Sequence, residues 1–192
     1  MSKITKKTLK KNKALFLDRD GVINEDYGYV YQIKKFHLIK NIQVIINVAQ
    51  KIGYKIIIVT NQAGIGKKIF SISDFHKLTR HMKNLLLKYN CYIDAVYYCP
   101  FHPRNGIGKY LKDSYDRKPN PGMLLKAKKK FNLDMTKSVL IGDNISDIKA
   151  GNKSFVKTNI LFNKNKKKYK KININSDQFI EINCLTEVLK YL

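Results

Sequence analysis

Ala14-Leu15-Phe16-Leu17-Asp18-Arg19-Asp20-Gly21 is the stretch whose reading organises the rest of the chain: an apolar run that ends in two carboxylates and a glycine turn. The pattern returns twice. Ile56-Ile57-Ile58-Val59 leads into Thr60-Asn61-Gln62, and Val139-Leu140-Ile141 leads into Gly142-Asp143-Asn144-Ile145-Ser146-Asp147. Arg117-Lys118-Pro119 lies between these two segments. Short apolar runs bounded by turn residues read as buried parallel strands, and open parallel sheets bind ligands just beyond their strand carboxyl ends. Carboxylates, a hydroxyl and an ammonium group therefore converge on one edge of a sheet. Mg²⁺ is a hard cation commonly held by one or two carboxylates plus substrate phosphate, so the set suits a phosphate and a divalent metal.

Working outward, the first strand spans Lys13 to Leu17, and residues 21–40 form a long connection rich in Tyr and Gly. Ile42, Ile45, Ile46, Ala49 and Ile52 recur at helical spacing, with Gly53 as the stop. Lys55 to Val59 reads as a strand. Ser73 is expected to cap a helix running to Tyr89, with Phe75, Leu78, Met82, Leu85 and Leu86 on its buried stripe. Tyr92 to Tyr98 alternates as a third strand. Asn120-Pro121 reads as an N-cap and first-turn proline opening a helix to Asn132. Ser138 to Ile141 is a strand and Asn144 to Gly151 a short helix. Residues 155–162, 179–182 and 185–192 read as strand, strand and terminal helix. Strands alternating with helices predict a doubly wound, mainly parallel α/β sheet. Residues 1–11 are a basic tail and residues 12–192 a single domain.

The bulk composition narrows the class. A chain of 192 residues with 44% hydrophobic and 27% charged content is globular and long enough for a sizeable core. No apolar run reaches the roughly 20 residues that cross a bilayer, and Met1 to Lys11 lacks the apolar stretch of a signal peptide. Cys91, Cys99 and Cys184 are an odd number with no repeating spacing, which fits a reducing cytoplasm. The formal charge of +24 invites a nucleic-acid reading, but only Arg19, Arg80, Arg104 and Arg117 are arginine among 38 basic residues. Arginine is the side chain for bidentate phosphate and base contacts, so a lysine surplus favours a solvated surface. The run Lys164 to Lys171 is read as a solvated loop. Gly64-Ile65-Gly66-Lys67 is no phosphate-binding P-loop, because the first glycine of that pattern would fall at Asn61. His37, His76, His81 and His102 show no metal-ligand spacing.

In order and spacing, the motifs resemble the haloacid dehalogenase superfamily of phosphohydrolases over nearly the whole chain. Longer strings are similar to the D-glycero-D-manno-heptose-1,7-bisphosphate 7-phosphatase family, with the histidinol-phosphate phosphatases as close relatives. These strings are LDRDGVIN at 17–24, DYGYV at 26–30, VTNQAGI at 59–65, YYCP at 97–100, DRKPNPGM at 116–123 and IGD at 141–143. The resemblance implies a Rossmannoid core without a large cap domain, since Thr60 lies 42 positions after Asp18 and a loop and a helix occupy most of the interval. It implies Asp18 as nucleophile, Asp20 as general acid and base, and Thr60 and Lys118 as phosphoryl-binding groups. It also implies Mg²⁺ held by Asp18, Asp143 and the backbone carbonyl of Asp20, with Asp147 orienting Lys118 or the metal shell. Asp26, Tyr29, Asn61, Gln62 and Arg117 match the family's substrate contacts, and Arg117 is the candidate for gripping a distal phosphate or sugar hydroxyls.

One departure stands out. Many relatives hold a structural zinc before the lysine through Cys-x-His and Cys-x-Cys, whereas here Cys99 is followed by Phe101, Ser114 and Asp116 at the other positions. A closed zinc site takes four N or S ligands in most cases, so no structural zinc is expected. The resulting expectation is a cytoplasmic, monomeric, Mg²⁺-dependent phosphatase acting on a small sugar phosphate, with no membrane partner and no specific nucleic acid. Histidinol phosphate is the nearest alternative substrate. A polynucleotide 3′-phosphatase, or a basic nucleic-acid-binding module on an inactive core, is more distant.

Overall fold

The computed structural model describes residues 11–164 and 178–192. The first ten residues of the tail and most of the Lys164–Lys171 run lie outside them. Six strands form one all-parallel sheet: β1 Lys13–Leu17, β2 Tyr54–Asn61, β3 Ala95–Cys99, β4 Val139–Gly142, β5 Thr158–Phe162 and β6 Ile180–Ile182. Their order is β3-β2-β1-β4-β5-β6. The chain first builds outward from β1 through β2 to β3, then crosses back to place β4 on the other side of β1. That reversal is the switch point at which doubly wound sheets open a crevice. Register puts Leu17 beside Ile58 and Ile141, so Asp18, Thr60 and Asp143 leave adjacent strands at similar height.

Alternation along β1 assigns the two faces. Leu15 and Leu17 pack with helices α1 Ile42–Lys51 and α3 Ile72–Leu87, through Ile42, Ile45, Ile46, Leu78, Met82 and Leu86. Ala14 and Phe16 face α4 Gly122–Phe131 and α5 Ile145–Lys153, through Met123, Leu124, Ala127, Ile145 and Ile148. All four residues of β1 from Ala14 to Leu17 are fully buried. Each large aliphatic or aromatic side chain so buried contributes roughly 1.5–3 kcal/mol. A central parallel strand has no solvent face, and that explains the unbroken apolar run.

Several expected boundaries shift. The cap of α3 is Ser71 and not Ser73: Ser71 Oγ accepts from the Asp74 backbone N–H while Asp74 Oδ2 accepts from the Ser71 N–H. An aspartate three residues on completes a capping box for Ser71, a pairing Ser73 lacks. Asn120 does not cap α4; Pro121 occupies that position, and Asn120 Nδ2 donates to the Ser114 carbonyl. Ile52 follows α1 as its exposed C-cap residue, and Gly53 adopts φ +87° as a helix stop. β3 starts at Ala95 and β5 at Thr158, each three residues later than the apolar pattern suggested, and the C-terminal segment Leu185–Tyr191 is a 3-10 helix. A single-turn helix that the periodicity did not reveal, α2 Ala63–Gly66, follows β2.

The loop between β3 and α4 is organised by packing and by turn hydrogen bonds. Phe101 stacks at a tilt on Tyr110, with centroids 5.8 Å apart, and packs against the core cluster around Met123. His102 Nδ1 accepts from the Arg104 and Asn105 backbone N–H groups, and Asp116 pairs with Lys126. Cys99 is buried, and that burial pushes its thiol above the ordinary range and away from the thiolate a metal needs. His102 and Asp116, the potential metal ligands beside Cys99 in this loop, are thus engaged elsewhere. Purified protein is expected to carry well under one zinc per chain by elemental analysis, with its melting curve unmoved by chelator dialysis. Structural zinc contributes on the order of 10 kcal/mol. About one zinc per chain, or a collapse of the melt on chelation, would overturn the metal-free loop.

Candidate active site

Strand ends and loops meet at one open pocket of about 800 Å³. Asp18 and Asp20 enter it from the end of β1, Thr60 and Asn61 from β2, and Asp143 from the turn after β4. Lys118 arrives from the loop before α4. Asp26, Tyr29, Gln62 and Arg117 also line it, so all ten residues anticipated from sequence share this one cavity. His102, Arg104, Asn144 and Ser146 line it too, and sequence reasoning missed them. Arg104 and His102 sit in the irregular loop between β3 and α4, where no motif marks them.

Lys118 is the electrostatic centre. Its side chain is 1% exposed, and its ammonium lies 2.9 Å from Asp18 Oδ2 and 2.5 Å from Asp147 Oδ1, and donates to the Val59 carbonyl at 2.8 Å. Burial alone would lower its basicity, but Asp147 and Asp18 more than offset this and hold the ammonium well above its ordinary value. The lysine backbone is fixed as well. Its N–H donates to Asn61 Oδ1 at 3.0 Å, and its carbonyl accepts from Asn61 Nδ2 at 3.0 Å. Asn61 therefore spends its amide on holding Lys118.

Asp147 belongs to the frame more than to the pocket wall. It is buried as the third residue of α5, where Oδ2 accepts from the Asn144 N–H at 3.1 Å in a capping box. Its other oxygen faces Lys118. The geometry thus fits the expected lysine-orienting role. Two glycines permit this crowding. A Cβ on Gly142 would lie 2.2 Å from the Asp147 Cβ, and one on Gly21 would lie 2.2 Å from Asp143 Oδ2. Gly21 also adopts φ +81°, a conformation that L side chains rarely take.

Carboxylate oxygens of Asp18, Asp143 and Asp147 all lie within 4.8 Å of one another. Three carboxylates facing one ammonium leave excess negative charge. Burial pushes the Asp18 carboxyl well above its ordinary value; Lys118 opposes the shift, while Asp147, Asp143 and Asp20 add to it. A divalent cation between Asp18 and Asp143 would relieve this repulsion, so the donor set fits a hard, oxygen-seeking metal.

Around Asp20 the polar contacts are dense. Arg19 Nε and Nη2 and Asn24 Nδ2 donate to its Oδ1, and Arg19 Nη2 and Gln62 Nε2 donate to its Oδ2. Gln62 is 3% exposed, and its amide is turned toward Asp20, Thr60 and Arg19. The anticipated substrate contacts therefore divide. Asn61 and Gln62 are tied into the frame, while Asp26, Tyr29 and Arg117 stand on the outer wall. Asp26 Oδ1 accepts from the Gly28 N–H, Tyr29 Oη accepts from Lys67 Nζ at 2.8 Å, and Arg117 Nη1 donates to the Phe101 carbonyl at 3.2 Å.

Comparison with known proteins agrees with this architecture. The family model described as polynucleotide kinase 3 phosphatase matches residues 12–175. The D-glycero-alpha-D-manno-heptose-1,7-bisphosphate 7-phosphatase of Burkholderia mallei is 50% identical over 79% of this chain and 80% of its own length. The D-glycero-beta-D-manno-heptose-1,7-bisphosphate 7-phosphatase of Haemophilus influenzae is 44% identical over 78% of this chain and 81% of its own. The crystal structure of D,D-heptose 1,7-bisphosphate phosphatase from B. bronchiseptica, complexed with magnesium and phosphate, shares the fold. It superposes with a TM-score of 0.70 at 24% identity, over 78% of this chain and 80% of that one. With strand order, motif placement and sequence identity in agreement, the chain belongs to the D-glycero-D-manno-heptose-1,7-bisphosphate 7-phosphatase family of the haloacid dehalogenase superfamily.

Proposed function

We propose that this protein is a cytoplasmic Mg²⁺-dependent phosphatase that removes the 7-phosphate of D-glycero-D-manno-heptose 1,7-bisphosphate during nucleotide-heptose precursor synthesis. The observation that carries the reading is the convergence of Asp18, Asp20, Thr60, Lys118 and Asp143 on one pocket, in a chain 50% identical to a heptose bisphosphate phosphatase. Among the described residues no helix is long and apolar enough to cross a membrane, and the three cysteines are free, which supports that setting.

In this reading a carboxylate oxygen of Asp18 attacks phosphorus, and the bond from phosphorus to the sugar oxygen breaks in line with it. Asp20 gives its proton to the departing oxygen, which leaves as the heptose hydroxyl. The resulting Asp20 carboxylate then takes a proton from water as that water's oxygen attacks phosphorus, which returns Asp18 as a carboxylate and releases phosphate. Thr60 and Lys118 hold the phosphoryl oxygens through both steps. Asp18, Asp143 and the Asp20 carbonyl would hold Mg²⁺, which supplies charge neutralisation between an anionic nucleophile and an anionic phosphate. Asp147 keeps Lys118 aimed at them. Specificity falls to Asp26, Tyr29 and Arg117 on the open wall, with Arg117 offering a planar fork of donors to the distal phosphate.

A polynucleotide 3′-phosphatase is the second reading, favoured by the matching family model and by the charge of +24. Substrate profiling with Mg²⁺ separates the two. Heptose bisphosphate should be turned over with a higher kcat/KM than histidinol phosphate or a 3′-phosphorylated oligonucleotide. Fastest hydrolysis of the oligonucleotide, with steep salt dependence, would move the assignment to nucleic acid.

Asp18→Asn should lower turnover by a factor on the order of 10⁴ or more while the chain still folds, because an amide cannot form the acyl phosphate. Multiple turnover above that level in stringently purified variant would remove Asp18 from the nucleophile's role. Arg117→Ala should cut kcat/KM for heptose bisphosphate by about 10- to 100-fold, chiefly through KM, as expected for one lost charge-assisted contact. An aryl phosphate lacking a distal phosphate should be far less affected. Equal loss of kcat on both, with KM intact, would refute recognition by Arg117.

A further inference from the structure

The mechanism above leaves one buried cluster unused. Arg19 stands between the two catalytic aspartates in sequence, yet its side chain is 1% exposed and does not line the pocket. Its guanidinium lies 5.7 Å from the Phe75 ring centroid, and its hydrogen bonds run to Asp20, the Val30 carbonyl and Gln62 Oε1. Desolvating a guanidinium costs several kcal/mol unless its surroundings answer its charge, and here Asp20 answers it through both oxygens. The carboxylate is thereby held in the plane of the fork.

Gln62 closes the cluster on the other side. Its Nε2 donates to Asp20 Oδ2 at 2.9 Å and to Thr60 Oγ1 at 2.8 Å, while its Oε1 accepts from Arg19 Nη2 at 3.3 Å. The reverse amide orientation would set a carbonyl oxygen against the Asp20 carboxylate and an amino group against the donors of Arg19, so chemistry fixes which end is nitrogen. One consequence concerns Thr60. A hydroxyl that accepts from Gln62 keeps its own hydrogen to donate, and the oxygens of a phosphoryl group are pure acceptors.

We propose that Arg19 and Gln62 are positioning residues: Arg19 fixes the Asp20 carboxylate, and Gln62 ties it to Thr60 while setting the Thr60 hydroxyl as a donor to the phosphoryl group. Neither touches the substrate. The inference rests on the acid-base role given to Asp20 above, and it is independent of which phosphate ester the enzyme uses. Its signature lies in the two chemical steps. A phosphate ester with a good leaving group needs no proton from Asp20 to phosphorylate Asp18, whereas attack by water still needs Asp20 as base.

Arg19→Met and Gln62→Leu, which keep side-chain bulk and remove the polar contacts, test this with full-length protein and Mg²⁺. On heptose bisphosphate, kcat should fall about 10²- to 10³-fold for Arg19→Met, within the range that general acid-base catalysis contributes, and less for Gln62→Leu, with KM little changed. On 2,4-dinitrophenyl phosphate, both variants should release a burst approaching one dinitrophenolate per chain and then turn over slowly. Acid quench should trap more phosphorylated protein than in wild type. Arg19→Lys, which restores the charge without the fork, should recover part of the rate. Equal slowing of burst and steady phases, with no accumulation of phosphorylated protein, would reduce both residues to structural roles and overturn the proposal. A raised KM with kcat intact in Gln62→Leu would make Gln62 a substrate contact and overturn it for that residue. Thermal melts accompany each variant; if Arg19→Met does not fold, Gln62→Leu and Arg19→Lys carry the same burst test. Wild type that hydrolyses the aryl ester but not heptose bisphosphate would discard the substrate assignment and leave this inference standing.

Discussion

The buried ammonium of Lys118 is the charge on which the rest of the site depends. Taking a lysine out of water costs several kcal/mol unless its partners replace the lost hydration. Those partners come from three separate elements: the Val59 carbonyl of β2, Asp18 after β1 and Asp147 in the first turn of α5. Asn61 fastens the lysine's own backbone from both sides. The loop that delivers Lys118 cannot move away without stranding a charge, and α5 cannot shift without unseating its cap. Assembly of the fold and assembly of the phosphate site are therefore the same event.

The same crowding sets the chemistry. Asp18 is pushed toward its neutral form by burial and by neighbouring carboxylates, with Lys118 alone opposing. A divalent cation beside Asp18 would balance an arrangement that the protein leaves electrostatically uneven. Gly21 and Gly142 allow the carboxylates to approach this closely, because a Cβ at either position would collide with Asp143 or Asp147. Aspartates and glycines in these turns are thus one design, with each aspartate's position depending on a glycine's missing side chain.

Among the described residues, two stretches of irregular chain border the open side of the pocket. Residues 26–29 and the loop before α4 form the outer wall, each held by its own contact: Tyr29 by Lys67, and Arg117 by the Phe101 carbonyl of the same loop. The second loop is held by an aromatic contact between Phe101 and Tyr110, while the floor of the site is built on strand ends. The floor of the pocket accordingly rests on sheet register and its outer wall on loop packing.

Local sequence alone determined the strands of the sheet's centre, the helix stop at Gly53 and the carboxylate-bearing turns at the strand ends. A buried central strand must be apolar on both faces, and a phosphate-metal site must carry carboxylates at its end, so both leave marks within a few residues. Weaker marks misled: Ser71 and Ser73 both look like caps, and only the partner Asp74 separates them. Strand edges such as Tyr92 blurred where exposed residues still alternate. Tertiary structure decided the division of labour among the pocket residues. Asn61 and Gln62 look in sequence like any substrate-facing amides, yet folding turns one toward Lys118 and the other toward Asp20 and Thr60. Arg19 carries no local sign that its charge is spent on its neighbour within the core. The physical reason is range. Apolar periodicity and turn chemistry act over a few bonds, whereas Gln62 meets Asp20 from 42 residues away and Lys118 meets the Val59 carbonyl from 59 residues away, so only the closed sheet brings them within hydrogen-bond reach.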